Sequence, residues 1–190
     1  MTLLRDFAMA ISTGRIGVVD LTAPLSATTP VLVLPKPFGQ TDPFELREIS
    51  HYDDRGPGWY WNNITTGEHT GTHLDAPTGR ELSDVSQIAP SQLIAPAAVL
   101  DVADHVVDDP DFLLEVEHIR AWEAEHGPLP ESGWLFMRTG WDARSHRQDE
   151  FLNADETGPH TPGVSVECAR WLAEEAPVIG IGVETVGTDA

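Results

Sequence analysis

The segment "GEHTGTHLDAP", Gly67 to Pro77, places His69, His73 and Asp75 within seven residues and separates them by glycine and threonine. Imidazole nitrogens and a carboxylate are donor types that suit zinc or manganese, and three protein ligands leave positions open for water and substrate. An ion so held acidifies water and polarises carbonyls, which is the chemistry of hydrolysis. Gly71, the neighbouring threonines and Pro77 oppose a helix here. On an ideal strand, residues four apart lie about 13 Å from one another, too far to share an ion, so the chain must bend between the two histidines. Gly71 can supply that bend, because it reaches backbone angles closed to other residues. His73 and Asp75 then point the same way on the outgoing strand, about 6.6 Å apart at the backbone. The order of residues is not that of the helical zinc-protease motif, since Glu68 precedes its histidine instead of following it.

Further candidates lie on either side. In "GPHTPG" a rigid turn holds His160, and Glu167 falls in the first turn of an expected helix, where negative charge is favoured; each also reads as an ordinary loop or helix-end residue. Phe38, Trp59, Tyr60 and Trp61 offer flat faces to an aryl substrate, or equally to a core or an interface. His118, His126 and His146 sit in acidic or polar stretches and read as surface residues.

The elements that must position these residues fall into two halves. "RIGVVDLTAPLS" predicts a strand near Ile16 to Leu21. Prolines at 30, 35, 37, 43 and 57 forbid long helices and predict an extended segment with a short strand around Phe44 to Ile49, the place for a substrate lid or a dimer arm. Beyond the motif, "APAAVLDVAD" and "GWLFMRTGW" read as strands covered on both faces. "DFLLEVEHIRAWEAEHGPLP" reads as a helix with Leu114, Ile119 and Trp122 on its apolar face, stopped by Gly127 and Pro128. "SVECARWLAEEAP" reads as a helix capped by Ser165, and "VIGIGVETVG" as a final strand, either an edge strand or the last element before missing ones. Alternating strands and helices give an α/β class with an appended β region.

A chain of 190 residues with 41% hydrophobic content suits one globular domain, residues 1–190. Eleven Lys and Arg against 31 Asp and Glu give a net charge of −20, which repels nucleic-acid backbones and anionic membranes. No stretch is apolar for long enough to span a bilayer, and the N-terminal apolar run is too broken for a secretory signal. Cys168 is the single cysteine, so no intrachain disulfide forms and a reducing, cytoplasmic setting is expected.

The motif "HTGTHLDAP" matches, without an error, the His-x-Gly-Thr-His-x-Asp-x-Pro signature of the cyclase family of metal-dependent hydrolases, which includes bacterial kynurenine formamidase and isatin hydrolase. "DLTAPLS", the segment before the motif, "LFMRTGWDAR" and "HTPGVSVECARWLAEEAPVIGIGVET" extend the resemblance over nearly the whole chain. It implies a swivelling β/β/α fold, a homodimer or homotetramer, and hydrolysis of a small aryl formamide or cyclic amide, of the N-formylkynurenine or isatin kind, at one or two zinc or manganese ions. His69, His73 and Asp75 match the first metal ligands; His160 and Glu167 match second-ion ligands and are the candidate proton carriers; Phe38, Trp59 and Trp61 are the candidate substrate contacts. Two departures stand out. The family motif continues with a histidine four residues after the aspartate, where this chain has Gly79, as though a few residues were deleted between Pro77 and Thr78. The family also continues past Ala190, so the domain is expected to be incomplete at its C-terminus.

Overall fold

The computed structural model describes residues 2–76 and 84–189. Leu3, Phe7 and Ile11 recur every four residues and fall on one stripe of an N-terminal helix, α1 (Leu3–Ser12), none of whose residues is buried. This helix is not among the elements expected from the sequence. The strand expected at Ile16–Leu21 does not form. Ile16 donates back to the Ala10 carbonyl as part of the turn that ends α1, and residues 17–22 run as exposed chain outside any strand, because β-branched residues make a strand only where a partner strand accepts their backbone groups.

The short strand expected around residues 44–49 is real but longer, β1 (Glu45–Asp53), and its partner is β2 (Gly56–Thr65), which together form a two-stranded antiparallel hairpin. Register shifts between Glu48 and Ser50 and between His51 and Asp53 twist the hairpin. Ser50 is fully buried between the strands and donates its hydroxyl to the Trp59 carbonyl at 3.0 Å. The metal-type motif follows β2 directly, so the hairpin delivers the chain to the bend.

The second half is α/β. It runs β3 (Ala97–Asp101), α2 (Ala103–Asp108), β4 (Leu113–Leu114), α3 (Val116–His126), β5 (Trp134–Arg138), α4 (Gln148–Leu152), β6 (Gly163–Val164), α5 (Val166–Glu174) and β7 (Gly180–Gly182). β3, β5 and β7 form a parallel sheet in that order, and β4 pairs in parallel with β6. Leu114 belongs to β4 and not to the expected helix, which begins after it. The strands also differ from the expectation of cover on both faces. Ala98 and Leu100 of β3 and Leu135 and Met137 of β5 point into the core, while Val99 and Phe136 remain exposed, so the near-continuous apolar runs are covered on one face.

That core gathers Leu100, Leu114, Ile119, Leu135, Trp141, Cys168 and Leu172. Fully burying side chains of this kind contributes roughly 1.5–3 kcal/mol each. α5 begins as expected: the Ser165 hydroxyl accepts from the Cys168 amide at 3.1 Å and donates to Glu115 at 2.6 Å, tying α5 to the residue that precedes α3. Burial pushes the Cys168 thiol up to about 11, which makes it packing and not a nucleophile. At the carboxyl ends of β5 and β7, Glu184 accepts from the Thr139 amide at 2.7 Å, the Thr139 hydroxyl at 2.8 Å and the Trp141 amide at 3.2 Å, which closes the sheet's C-terminal end.

Candidate metal centre

Leaving β2, the chain reaches His69, turns at Gly71 and runs out through His73 and Asp75. Gly71 has φ +67, the left-handed conformation that a glycine adopts without strain. The turn is also crowded: a Cβ on Gly71 would lie 2.5 Å from Leu25 Cδ2. Glycine is therefore required twice over, for its backbone angle and for its missing side chain. The bend inferred from spacing is the bend in the structure.

The result is a triangle of candidate ligand atoms. His69 Nδ1 lies 2.7 Å from Asp75 Oδ1, His73 Nε2 lies 3.3 Å from the same oxygen, and the two imidazole nitrogens are 3.3 Å apart. Among the described residues this is the one group of three or more His, Cys, Asp or Glu side chains that converges closely enough to hold an ion. Ligands about 2.0–2.1 Å from a tetrahedral ion are separated by roughly 3.3 Å, the edge of the tetrahedron, so two of the three sides already have the length that an ion demands. The donor set fits as well: two borderline nitrogens and one hard oxygen suit zinc or manganese. His69 and Asp75 are largely exposed and His73 less so, which leaves one side of the triangle open.

His73 Nδ1 donates to the Gly71 carbonyl at 2.8 Å, fixing the hydrogen on that nitrogen and leaving the Nε2 lone pair facing the triangle. Just inside the bend, Thr70 is buried and its hydroxyl has no partner among the described residues. The loop also leans on the N-terminal segment, since the Ala23 amide donates to the Thr72 hydroxyl at 2.9 Å. These contacts were not anticipated from sequence; threonines in a motif give no sign of a partner almost fifty residues away.

The other candidates stand apart from the triangle. His160 Nδ1 is 2.9 Å from both oxygens of Asp111, and its Nε2 is 2.9 Å from the Thr157 hydroxyl and 3.2 Å from Asp155. Asp111 first, then Asp155, raises the pKa of the imidazole, and the ring sits at the wall of an open cleft of about 400 Å³ that Pro110, Asp149, Asn153 and Asp155 also line. Glu167 is exposed in the first turn of α5. Neither joins the three-ligand group. Trp59 and Trp61 share one side of β2, half or more exposed, and Phe38 is exposed in the segment before the hairpin. His126 and His146 are surface residues, whereas His118 is half-buried and its Nδ1 accepts from the Glu115 amide at 2.9 Å, capping α3. Gly79 and the gap after Pro77 lie outside the described residues.

Residues 19–190 match the Cyclase family model. The chain belongs to the cyclase family. Its α/β fold is the cyclase fold: it superposes on isatin hydrolase A from Ralstonia solanacearum with a TM-score of 0.95 and 47% identity, over 100% of this chain and 74% of that one. An isatin hydrolase bound to the product analogue thioisatinate gives a TM-score of 0.93 and 42% identity, over 100% of this chain and 76% of the other. In sequence, the isatin hydrolase of Roseibium aggregatum is 44% identical over 194 residues, which is 98% of this chain and 73% of that relative. Within this cyclase fold no helix of the described residues is long and apolar enough to cross a membrane.

Proposed function

We propose that this cyclase-family protein is a metal-dependent amidohydrolase that opens the C–N bond of a cyclic aryl amide of the isatin kind, with an aryl formamide such as N-formylkynurenine as the second substrate class. The observation that carries the reading is the triangle of His69 Nδ1, His73 Nε2 and Asp75 Oδ1, two of whose sides, at 3.3 Å, have the spacing of ligands around one ion, while the third is 2.7 Å. The isatin hydrolases with which the chain shares 42–47% identity support the cyclic amide over the formamide.

When bound, a zinc or manganese ion supplies Lewis acidity, polarising a carbonyl and making a water more acidic. His73 keeps its Nε2 lone pair aimed inward through the Nδ1 bond to Gly71. Asp75 lies against both imidazoles and supplies the negative charge that offsets a dication. The open side of the triangle would admit the substrate carbonyl and a water; the water oxygen adds to the carbonyl carbon as the water gives up a proton, the C–N bond breaks, and the departing nitrogen takes that proton, leaving a carboxylic acid and an amine. Trp59 and Trp61, on one exposed side of β2, are proposed to stack on the aryl ring. Proton transfer by Glu167 remains part of this proposal, while the two carboxylates around His160 favour a structural duty for that residue.

One observation favours a second reading, a metal-binding member with little turnover: Gly79 stands where the family motif has a histidine. Metal analysis of the purified protein, with turnover of isatin and N-formylkynurenine expressed per bound ion, separates the two. Stoichiometric metal with isatin turnover supports the hydrolase, metal without turnover the second reading, and absence of metal overturns both. A cytoplasmic homodimer or homotetramer is the proposed setting, supported by the unburied apolar stripe of α1.

A further inference from the structure

The ligand triangle is largely exposed, so its geometry must be held from beneath, and the support is a segment distant in sequence. Residues 23–31 cross under the bend and are fastened at both ends. At one end the Ala23 amide donates to the Thr72 hydroxyl at 2.9 Å, between the two metal-type histidines. At the other, the Gln148 side chain grips Val31 as a strand neighbour would: its Oε1 accepts from the Val31 amide at 2.8 Å and its Nε2 donates to the Val31 carbonyl at 2.7 Å. Between the two ends a turn closes, with the Ser26 amide donating to the Thr29 hydroxyl at 2.8 Å and the Thr29 amide to the Ser26 carbonyl at 3.0 Å. That turn sets Leu25 Cδ2 and Thr29 Cγ2 2.5 Å and 3.9 Å from where a Gly71 side chain would begin. Pro30, next to the Gln148 grip, is buried.

We propose that residues 23–31 are a positioning strap for the metal-binding bend, with Thr72 and Gln148 as its positioning residues, so that docking of the strap and occupancy of the His69–His73–Asp75 triangle are one coupled equilibrium. The inference rests on the metal-centre reading above. Its physical basis is contiguity: Gln148 on α4 holds Val31, the strap's turn fills the space under Gly71, and the backbone angle of Gly71 sets the separation of the histidines. Loosening the strap releases the bend to other conformations, of which only a fraction presents three ligands, and the measured affinity falls by that fraction. Reciprocity follows: an ion that binds only the bent form must favour the docked strap by the same factor.

The test uses the full chain and zinc alone as the probe. Zinc affinity is measured by competition with a chromophoric chelator for the wild type, Thr72→Val, Gln148→Ala and His73→Ala, with circular dichroism to establish that each variant is folded. Hydrogen exchange over residues 23–31 is measured by mass spectrometry with and without zinc. The expected result is about a tenfold loss of affinity in Thr72→Val and in Gln148→Ala, the range found for residues that orient metal ligands. Zinc should slow exchange across 23–31 in the wild type and less so in Gln148→Ala. Should Gln148→Ala fail to fold, Thr72→Val, an isosteric change of an exposed hydroxyl, carries the test with the exchange measurement. Affinities within twofold of wild type in the folded variants, alongside lost binding in His73→Ala, would overturn the strap and leave the metal centre standing. Zinc-insensitive exchange in 23–31 would do the same. A wild type that binds no zinc overturns the metal centre, and this inference with it.

Discussion

His73 donates its Nδ1 hydrogen to the Gly71 carbonyl at 2.8 Å, so the residue that bends the chain also fixes the tautomer of a candidate ligand that the bend delivers. The coupling makes His73 the most sensitive point of the triangle. His73→Ala removes the nitrogen that lies 3.3 Å from both His69 Nδ1 and Asp75 Oδ1 and should abolish stoichiometric zinc or manganese binding, whereas His126→Ala, an exposed change on α3, should leave it unchanged. Equal metal content in the two purified variants would sink the assignment.

Gly71→Ala should damage the same centre by another route. A non-glycine residue at φ +67 costs about 1–2 kcal/mol, and the new Cβ would press on Leu25 Cδ2 at 2.5 Å. The expected outcome is a lower melting temperature together with weaker metal binding. Placing Gly71→Ala in a Leu25→Ala background relieves the clash but not the backbone cost, so it should recover part of each loss. Recovery of neither would show that Leu25 is not the residue pressed upon.

How far these relationships were legible in the sequence depends on how far apart the partners lie. The donors and the glycine sit within seven residues, and donor chemistry with the reach of an extended chain is enough to demand a bend there. The cap of α5 is equally local, Ser165 reaching only to Cys168. By contrast Asp111 meets His160 across 49 residues and Gln148 meets Val31 across 117, contacts set by the order of strands in the sheet and by nothing in the neighbouring residues. The apolar runs of β3 and β5 correctly signalled strands but overstated their cover, since Val99 and Phe136 are apolar and exposed. α1 is not legible in the sequence because none of its residues is buried, and a short amphipathic stretch without capping signals reads as a broken apolar run.

The tryptophans of β2 lend themselves to a two-sided measurement. Trp59 and Trp61 project from the same side of the strand and are half or more exposed, so truncating either should change stability by no more than about 0.5 kcal/mol. If they stack on the aryl ring, Trp59→Ala and Trp61→Ala should weaken binding of isatin by about tenfold, since an aromatic pair is worth about 0.5–1.5 kcal/mol beyond its buried area. A large fall in melting temperature with unchanged affinity would make them packing residues.

His160 supplies a prediction in pH. Asp111 and Asp155 flank its two ring nitrogens, with Thr157 completing the enclosure, so the imidazolium is favoured in the folded protein and the histidine's pKa lies above its unfolded value of about 6.5. The stabilisation is then fully present below that unfolded value and disappears as pH rises through the folded one. Asp155 behaves oppositely: the Thr157 hydroxyl and amide, then His160, hold it below the usual carboxylate range, so its contribution is present above about 3.9 and is lost as pH falls through its depressed value. The clamp should therefore be strongest between the two limits, in mildly acidic solution. Melting temperatures of the wild type and His160→Gln across that range provide the check. The gap between them should be widest at about pH 5–6 and close as the solution becomes alkaline. A gap that widens with rising pH would overturn the clamp between the imidazolium and the two carboxylates.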